Sequence, residues 1–426
     1  MKIKRIAARR IWDSRGRPTV EVEVTNEDGT GGLGIAPAGA SRGTREAVEL
    51  RDGGERFRGL DVQAALRGIE REIAPALLGH EVSDQAAIDA ALIQLDGTGT
   101  KSRLGGNALI ATSLAVLHAA AAHARQPLWR YLAQGRTVQL PLPQIQIFGG
   151  GAHAGRRVDI QDFMVIATAA RSFGEALEMT AEVYRAAGEL MAARGALAGV
   201  ADEGGWWPSF ARNEDALDTL VTAIEQAGFV PGEQVAIALD VAASEFGQHG
   251  RYRLALENQE LDSDAMCERL VGWIDRYPIV SIEDPLAEDD EAGLVAFTRA
   301  VGGRVQVVGD DYLVTSADRV RAAAALGACN GVLIKPNQAG TVTQTREALD
   351  AAKDAGYATI VSARSGETED VAIVHLATGW NAGQLKVGSF ARSERMAKWN
   401  EGIRIEGRPG APAGFAGRQA LGGRRP

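Results

Sequence analysis

The first part of the chain alternates between apolar and polar positions. The run TVEVEVT at residues 19–25 has the two-residue period of a strand with one buried face. The run at residues 2–12 and the intervening turn DSRGRP complete a predicted hairpin. From about residue 62 to residue 133, alanine and leucine recur at helical spacing instead. Strands followed by a block of helices predict a small α+β domain over residues 1–136.

The pattern changes after the segment GRTVQLPLPQ at residues 135–144. Short runs rich in valine and isoleucine then alternate with amphipathic helical stretches, which is typical of βα units. We therefore expect residues 137–410 to form a (β/α) barrel of the α/β class. Residues 411–426 are rich in glycine, proline and arginine and are expected to be disordered.

A charged residue ends each of six successive strand runs in this second region. Neighbouring members of the series lie 22 to 43 residues apart, about the length of a strand and a helix. One such residue would be read as a helix cap, but lysine and arginine are poor caps. The carboxyl ends of parallel barrel strands face one mouth, so the series predicts a site there. Its members are Asp240, Glu283, Asp310, Lys335, Arg364 and Lys386.

This mixture of charges indicates a particular chemistry. Three carboxylates without a cysteine or histidine ligand suit a hard cation such as Mg²⁺. The three basic residues would bind an anionic substrate. A lysine beside a metal and other cations is expected to have a lowered pKa and could act as a general base. Glu203, in the loop motif DEGG, is a candidate for a second acid. Together these groups suit proton removal next to a carboxylate.

Composition narrows the class of protein. The 426 residues are 45% apolar and 24% charged, as in a globular protein. The net charge of −9 argues against binding to nucleic acid. The first residues have no apolar signal core and no run reaches about 20 apolar residues, so we expect neither a secretory signal nor a membrane-spanning helix. Its two cysteines, Cys267 and Cys329, are expected to be buried thiols, so a cytoplasmic location is predicted.

Several long strings are similar to those of the enolase family, in the family's order. They are DSRGRPTVEVEV, GAS, ELRDG, DEGG, DVAASEF, SIEDP, VGDD, RSGETED and RSERMAKWN. The resemblance implies an enolase-type (β/α)8 barrel with an N-terminal α+β domain. It also implies a homodimer or a higher homo-oligomer, and two Mg²⁺ ions in each active site.

The resemblance further implies a role for each of twelve residues. The three carboxylates would bind the first Mg²⁺ and Ser41 would close on the second, while Lys335 would remove the α-proton of 2-phosphoglycerate. Glu203 would protonate the departing hydroxyl. The remaining six residues match substrate contacts: His153, Gln161, Asp162, Arg364, Ser365 and Lys386.

Two pocket positions depart from the family pattern. The family has glutamate at Asp162 and histidine at Ala363, both on the side that handles the leaving hydroxyl. Shortening an acid by one methylene moves its oxygens by about 1 Å, and such misplacement can cost roughly 10²-fold in rate. Loss of the histidine is expected to open space. Arg42 and Arg45 are further departures, in the loop that carries Ser41.

Three functions are compatible with these residues. The first is phosphopyruvate hydratase, which base rates favour. The second is a diverged paralogue, similar to carboxyphosphonoenolpyruvate synthase, acting on a modified phospho- or phosphono-carboxylate. The third is a binding protein without activity. It is the weakest, because a decayed enzyme has no reason to keep three ligands and both lysines.

Overall fold

The computed structural model describes residues 1–422. The chain begins with a three-stranded antiparallel sheet in the order β1-β2-β3, so the predicted hairpin is confirmed. Five helices and a short π-helical turn at Ile69–Ile73 follow. The bounds are β1 Ile3–Trp12, β2 Pro18–Asn26, β3 Gly31–Ile35, α1 Gln63–Gly68, α2 Ala74–Leu77, α3 Gln85–Asp96, α4 Gly106–His123 and α5 Leu128–Ala133.

Small residues allow this sheet to pack closely on helix α4. A Cβ atom on Gly32 would lie 2.4 Å from the carbonyl oxygen of Ala115, and one on Gly34 would lie 2.2 Å from that of Ala111. Real Cβ atoms do not approach a carbonyl oxygen so closely, so larger residues would push the helix away. The alanine-rich pattern of α4 therefore reflects contact with a sheet on one side and with the barrel on the other.

The remaining elements form a closed eight-stranded barrel with surrounding helices and a small accessory sheet. The bounds are β4 Leu142–Gly149, β5 Asp162–Ile166, α6 Phe173–Ala193, α7 Asn213–Gln226, β6 Ala236–Asp240, β7 Gly247–Gln248, β8 Arg251–Leu254, β9 Gln259–Asp262, α8 Ser263–Arg276, β10 Ile279–Glu283, α9 Glu291–Val301, β11 Gln306–Gly309, α10 Ala317–Leu326, β12 Gly331–Ile334, α11 Pro336–Ala339, α12 Val342–Asp354, β13 Ala358–Ser362, α13 Ala372–Gly379, β14 Gly383–Gly388 and α14 Ser393–Gly407.

One barrel strand runs against the others. Strand β5 pairs antiparallel with both β4 and β6, whereas the other six pairings around the barrel are parallel. The start of β5, rather than its end, therefore lies at the mouth formed by the carboxyl ends of the parallel strands. None of the helices described over residues 1–422 has the length and apolarity that crossing a bilayer requires.

The expectation of a disordered tail is wrong for residues 411–422. This segment covers the floor of the barrel, where a layer of buried amides needs partners. Gln384 donates from Nε2 to the carbonyl of Ala420 (2.9 Å), and Gln306 accepts from the amide of Gly422 (3.0 Å). Leu421 is buried among the apolar residues of the floor. Buried polar groups require such hydrogen bonds, and composition alone does not reveal them. Residues 423–426 lie outside the described residues.

Candidate active site

The predicted charged series lies at one mouth of the barrel. Asp240 and Glu283 are the last residues of β6 and β10, and Asp310 directly follows β11. Lys335 directly follows β12, and Lys386 lies within β14. These strands are parallel, so their carboxyl ends converge. All five side chains are buried.

Two lysine ammonium groups lie among the three carboxylates. Nζ of Lys386 is 2.8 Å from Oδ2 of Asp240 and 2.8 Å from Oε2 of Glu283. Lys335 donates a hydrogen bond to Oδ2 of Asp310. These contacts form two buried groups, one around Lys386 and one around Lys335. The charges of both groups act on Glu283, and such interactions are stronger in a buried site than in water.

The carboxylates retain unused capacity for a cation. Among residues 1–422, Oε1 of Glu283 is buried without a hydrogen-bond partner. Burial first, and then the neighbouring charge of Asp240, raises the pKa of Glu283 well above its usual range. A bound divalent cation would relieve both effects, and oxygen ligands of this kind suit Mg²⁺. The residues therefore fit the predicted metal, on the chemistry of the donor set.

The tightest acidic groupings are not the predicted trio. In the described part of the chain, two groups of three side chains have ligand atoms within 4.8 Å of one another. The predicted trio does not meet this spacing, and the ammonium of Lys386 bridges two of its members, Asp240 and Glu283. One of the two groups contains Asp284, whose carboxylate already accepts the backbone amides of Asp310 and Asp311 at 2.8 Å each. The groups are His153, Asp162 and Glu203, and Asp284, Asp310 and Asp311.

The expected lowering of a lysine pKa is not seen in the structure. Burial lowers the pKa of Lys335, but the carboxylates of Asp310 and Glu283 together raise it by more, and the net shift is upward. The pKa of Lys386 is also raised, because Asp240 and Glu283 outweigh its burial. The prediction assumed a neighbouring metal charge, whereas the carboxylates alone stabilise the ammonium form.

Arg364 lies two residues beyond β13 and joins the barrel to the N-terminal domain. Nη1 donates to Oε2 of Glu46 at 2.9 Å, and Nη2 donates to the carbonyl oxygen of Ser41 at 2.9 Å. Burial lowers the pKa of Arg364, but the charge and hydrogen bonds of Glu46 raise it, and the net shift is upward. The guanidinium therefore remains charged. Beside it, Oγ of Ser365 accepts from Nη1 of Arg15 at 3.4 Å.

The opposite wall comes from the antiparallel strand and two loops. Asp162, the first residue of β5, lies in register with Asp240. Its Oδ1 is 3.1 Å from Nδ1 of His153, whose Nε2 is 3.7 Å from Oε1 of Glu203. Gln161 donates from Nε2 to Oδ2 of Asp240 at 3.1 Å. The acid predicted from the DEGG loop thus lies beside an imidazole at the barrel mouth.

Asp162 keeps close contacts although it is one methylene shorter than the family's glutamate. Its Oδ2 lies 3.2 Å from Nζ of Lys386. Burial raises the pKa of Asp162, but Lys386 and His153 outweigh burial and the net shift is downward. Burial lowers the pKa of His153, whereas Glu203 and Asp162 raise it, with a net upward shift. The structure therefore holds a charged carboxylate against a histidine that favours its protonated form.

One small cavity connects these groups. Its free volume is about 20 Å³, room for roughly one water molecule. Ala363 lines it, so the space expected from loss of the histidine is not open. Ten of the twelve predicted residues line this cavity, and the other two, Glu283 and Asp310, contact its lysines. The ten are Ser41, His153, Gln161, Asp162, Glu203, Asp240, Lys335, Arg364, Ser365 and Lys386.

Three contacting residues were not predicted from the sequence. Glu46 binds Arg364, and Gln338 donates to Oδ1 of Asp310 at 2.8 Å. Gln146 donates to Asp162 and accepts the amide of Gly205 at 2.9 Å. Only Gln146 had a signal, as a polar residue within the apolar run of β4.

A closed barrel with acids, lysines and an arginine at one mouth defines a class of barrel enzymes that act on small anionic substrates. Comparison with known proteins makes the class specific. Residues 3–132 match the family described as the enolase N-terminal domain, and residues 137–422 match the enolase C-terminal TIM barrel domain. Enolase 1 of Desulfitobacterium hafniense (strain Y51) is 50% identical over 417 residues, covering 97% of this chain and 95% of that protein.

The chain belongs to the enolase family and is a hydro-lyase. The resemblance found in the motifs is thereby confirmed over nearly the full length. The same comparisons support phosphopyruvate hydratase as its activity.

Proposed function

We propose that this enzyme dehydrates 2-phospho-D-glycerate to phosphoenolpyruvate in the mouth of the barrel. One observation carries the proposal. A base candidate, Lys335, and an acid candidate, Glu203, line the same small cavity. Asp240, Glu283 and Lys386 form a buried, hydrogen-bonded cluster at the same mouth of the barrel. This arrangement suits removal of a proton on one side of a substrate and loss of hydroxide on the other.

Two Mg²⁺ ions are part of the proposal. Asp240, Glu283 and Asp310 would hold the first, and the loop residue Ser41 would help to hold the second. When bound, such ions would stabilise the negative charge that develops on the substrate carboxylate. Asp310, held as a ligand, would then no longer favour the charged form of Lys335. The unpaired Oε1 of Glu283 supports this assignment.

Lys335 would take the α-proton. The side chain is buried, with its ammonium directed at Asp310, so its position is fixed before substrate arrives. A base must be neutral to accept a proton, and Asp310 favours the charged form in the structure. Lys386 would remain charged, because three carboxylates surround it, and would bind the substrate carboxylate.

Glu203 would donate a proton to the departing hydroxyl. His153 lies on one side of it, and Asp162 holds that histidine in place. The phosphate of the substrate would lie against Arg364 and Ser365, where the positive charge of the guanidinium would attract it. Gln161, also in this wall, would contribute a further contact.

The experiment separates the two proton transfers. The enzyme with Mg²⁺ should form phosphoenolpyruvate from 2-phosphoglycerate, measured by its absorbance, and should exchange the α-proton with deuterated solvent, measured by NMR. We expect Lys335→Ala to abolish both. Glu203→Gln should block dehydration while retaining exchange, because it removes only the acid. Exposed Glu268→Gln, on α8, is the matched control and should change neither.

Other outcomes would overturn the proposal. Exchange without dehydration by the unaltered enzyme would indicate a diverged paralogue with a modified substrate. Neither exchange nor dehydration would indicate a binding protein. The small free volume beside Ala363 gives no support to a larger ligand.

The oligomeric state of the enzyme is a prediction. We infer a homodimer or higher homo-oligomer acting in the cytoplasm, from family resemblance. Light scattering coupled to size-exclusion chromatography would test it, and a mass near the 45.0 kDa of one chain would contradict it.

A further inference from the structure

A second cavity lies between the N-terminal domain and the barrel. Its volume is about 480 Å³, and its walls come from residues 45–47 and 99–101 on one side and from α10 and its surroundings on the other. None of its lining residues lines the catalytic cavity. Gln338 stands between them, since it lines the second cavity while donating to Asp310 at 2.8 Å. The second cavity is therefore a separate site behind the catalytic mouth.

Lys101 is a buried cation in its wall. Only 8% of this residue is exposed. Within residues 1–422, its ammonium has neither an ion-pair partner nor a hydrogen-bond acceptor. Asp96 is the acid that acts on it, but the Asp96 carboxylate already accepts the amides of Thr98 and Leu104, at 3.0 and 2.7 Å. Burial lowers the pKa of Lys101 by more than the charge of Asp96 raises it. The side chain is buried, whereas its ammonium is open to the cavity, so an anion bound there would gain a charge-assisted contact with it.

The amino terminus of α10 opens into the same cavity. Ser316, at the N-cap position, makes no capping hydrogen bond with its side chain. Ser316, Ala317, Asp318 and Arg319 all line the cavity. In the described chain, the backbone amides of residues 317–319 have no acceptor. Such amides and the helix dipole form a favourable anion site, and this ten-residue helix presents it to the cavity that Lys101 also lines.

The charge of the lining favours an anion as well. Four of the lining side chains are cationic and two are acidic. One acid, Asp318, is already paired with Arg321 at 2.8 Å. Arg319 is held by the carbonyl oxygen of Tyr312, at 2.7 Å from Nε, and its guanidinium lies 5.2 Å from the centre of that ring. The cations are Arg45, Lys101, Arg319 and Arg321, and the acids are Asp318 and Glu347.

We propose that this cavity binds a phosphorylated small molecule, with its phosphoryl group at Lys101 and the amino terminus of α10. A phosphoryl dianion can accept hydrogen bonds from an ammonium, a guanidinium and backbone amides at once, whereas a carboxylate has fewer acceptor sites. The cavity is larger than a phosphate ion and lies in the size range of metabolite sites. The proposal is independent of the catalytic roles assigned above.

Titration of inorganic phosphate into the full-length enzyme by calorimetry, in buffer with a chelator, tests the proposal. We expect saturable binding that Lys101→Gln weakens roughly tenfold or more, because it removes a charge-assisted hydrogen bond. Arg321→Glu, on the protein surface, should also weaken binding by roughly tenfold, without changing turnover of 2-phosphoglycerate. Exposed Arg299→Glu, on α9, makes the same change in net charge and should leave phosphate affinity unchanged.

Phosphate bound at the catalytic mouth must be distinguished from phosphate in this cavity. Arg364→Lys should leave the binding that depends on Lys101 intact. If Lys101→Gln and Arg321→Glu both keep the affinity of the unaltered enzyme, the proposal fails. It also fails if Arg364→Lys removes all saturable binding. Should Lys101→Gln not fold, Arg321→Glu decides the question alone.

Discussion

The guanidinium of Arg364 and the carboxylate of Glu46 form a buried ion pair, with Nη1 2.9 Å from Oε2 and Nη2 3.2 Å from Oε1. The two residues are 318 positions apart in the chain. One belongs to the barrel and the other to the N-terminal segment that carries Ser41. The ion pair therefore connects Arg364, which is proposed to bind the substrate phosphate, to the N-terminal loop that carries Ser41 and Glu46.

Removal of the Glu46 side chain should destabilise the folded protein and weaken substrate binding. Breaking a buried pair by deleting one partner leaves an uncompensated charge and typically costs about 3–5 kcal/mol. We expect Glu46→Ala to lose stability on this scale in urea unfolding and to raise KM, because Arg364 would no longer be held. Glu46→Gln keeps a hydrogen-bond acceptor and should lose less. Equal stability of Glu46→Ala and the unaltered enzyme would contradict this account.

Restoring the family's acid at Asp162 should keep or raise turnover. A glutamate keeps the negative charge that His153 and Lys386 contact at this position. Adding Ala363→His as well should be destabilising, because the cavity that both residues line has only about 20 Å³ free. Overpacking of this kind costs about 1–3 kcal/mol. Absorbance assays and thermal unfolding of the single and double variants check both expectations.

Glu283 is expected to control the affinity for Mg²⁺. The variant Glu283→Gln removes one charge from the proposed ligand set while keeping its size. The Mg²⁺ concentration for half-maximal activity should rise roughly tenfold or more, since hydrogen-bonded charges contribute about 1.5–3 kcal/mol. Glu268→Gln again serves as the control. The assignment of Glu283 as a ligand would be abandoned if the two variants shared one Mg²⁺ dependence.

The barrel floor offers a test of the tail. Leu421 is 7% exposed, and truncation of a buried leucine to alanine costs about 2–5 kcal/mol. We expect Leu421→Ala to fall at the low end of that range in chemical unfolding. Leu326→Ala, at a leucine that is 48% exposed, should have almost no effect. Equal effects of the two substitutions would show that residues 411–422 do not cover the floor in solution.

The two cysteine thiols should react slowly with thiol-labelling reagents, and their labelling rates should rise steeply with pH. Cys329 is buried as predicted, whereas Cys267 is only half-buried. Burial raises the pKa of Cys267 to about 11 and that of Cys329 to about 12. The thiolate is the reactive form, so its fraction at Cys267 grows about tenfold per pH unit between pH 8 and pH 10. Labelling rates of the Cys329→Ser variant should follow this slope, and a flat profile would contradict it.

The sequence by itself determined the strands, the helices and the charged series. Alternation at residues 19–25 could only bury one face of a sheet, and it formed β2. Charged residues at the ends of parallel strands must share a mouth, so Asp240 through Lys386 could be grouped without coordinates. Those inferences rest on local periodicity and on the geometry of one repeated unit.

Only the tertiary structure decided which distant groups meet. Nothing local in the chain joins Glu46 to Arg364, or Gln338 to Asp310. The antiparallel direction of β5, which brings Asp162 to the mouth, depends on how the whole barrel closes. The tail is ordered over residues 411–422 because buried glutamines of the floor need partners, and no feature of the tail's own composition expresses that need. Hydrogen bonds and ion pairs between remote segments depend on positions that the complete fold alone sets.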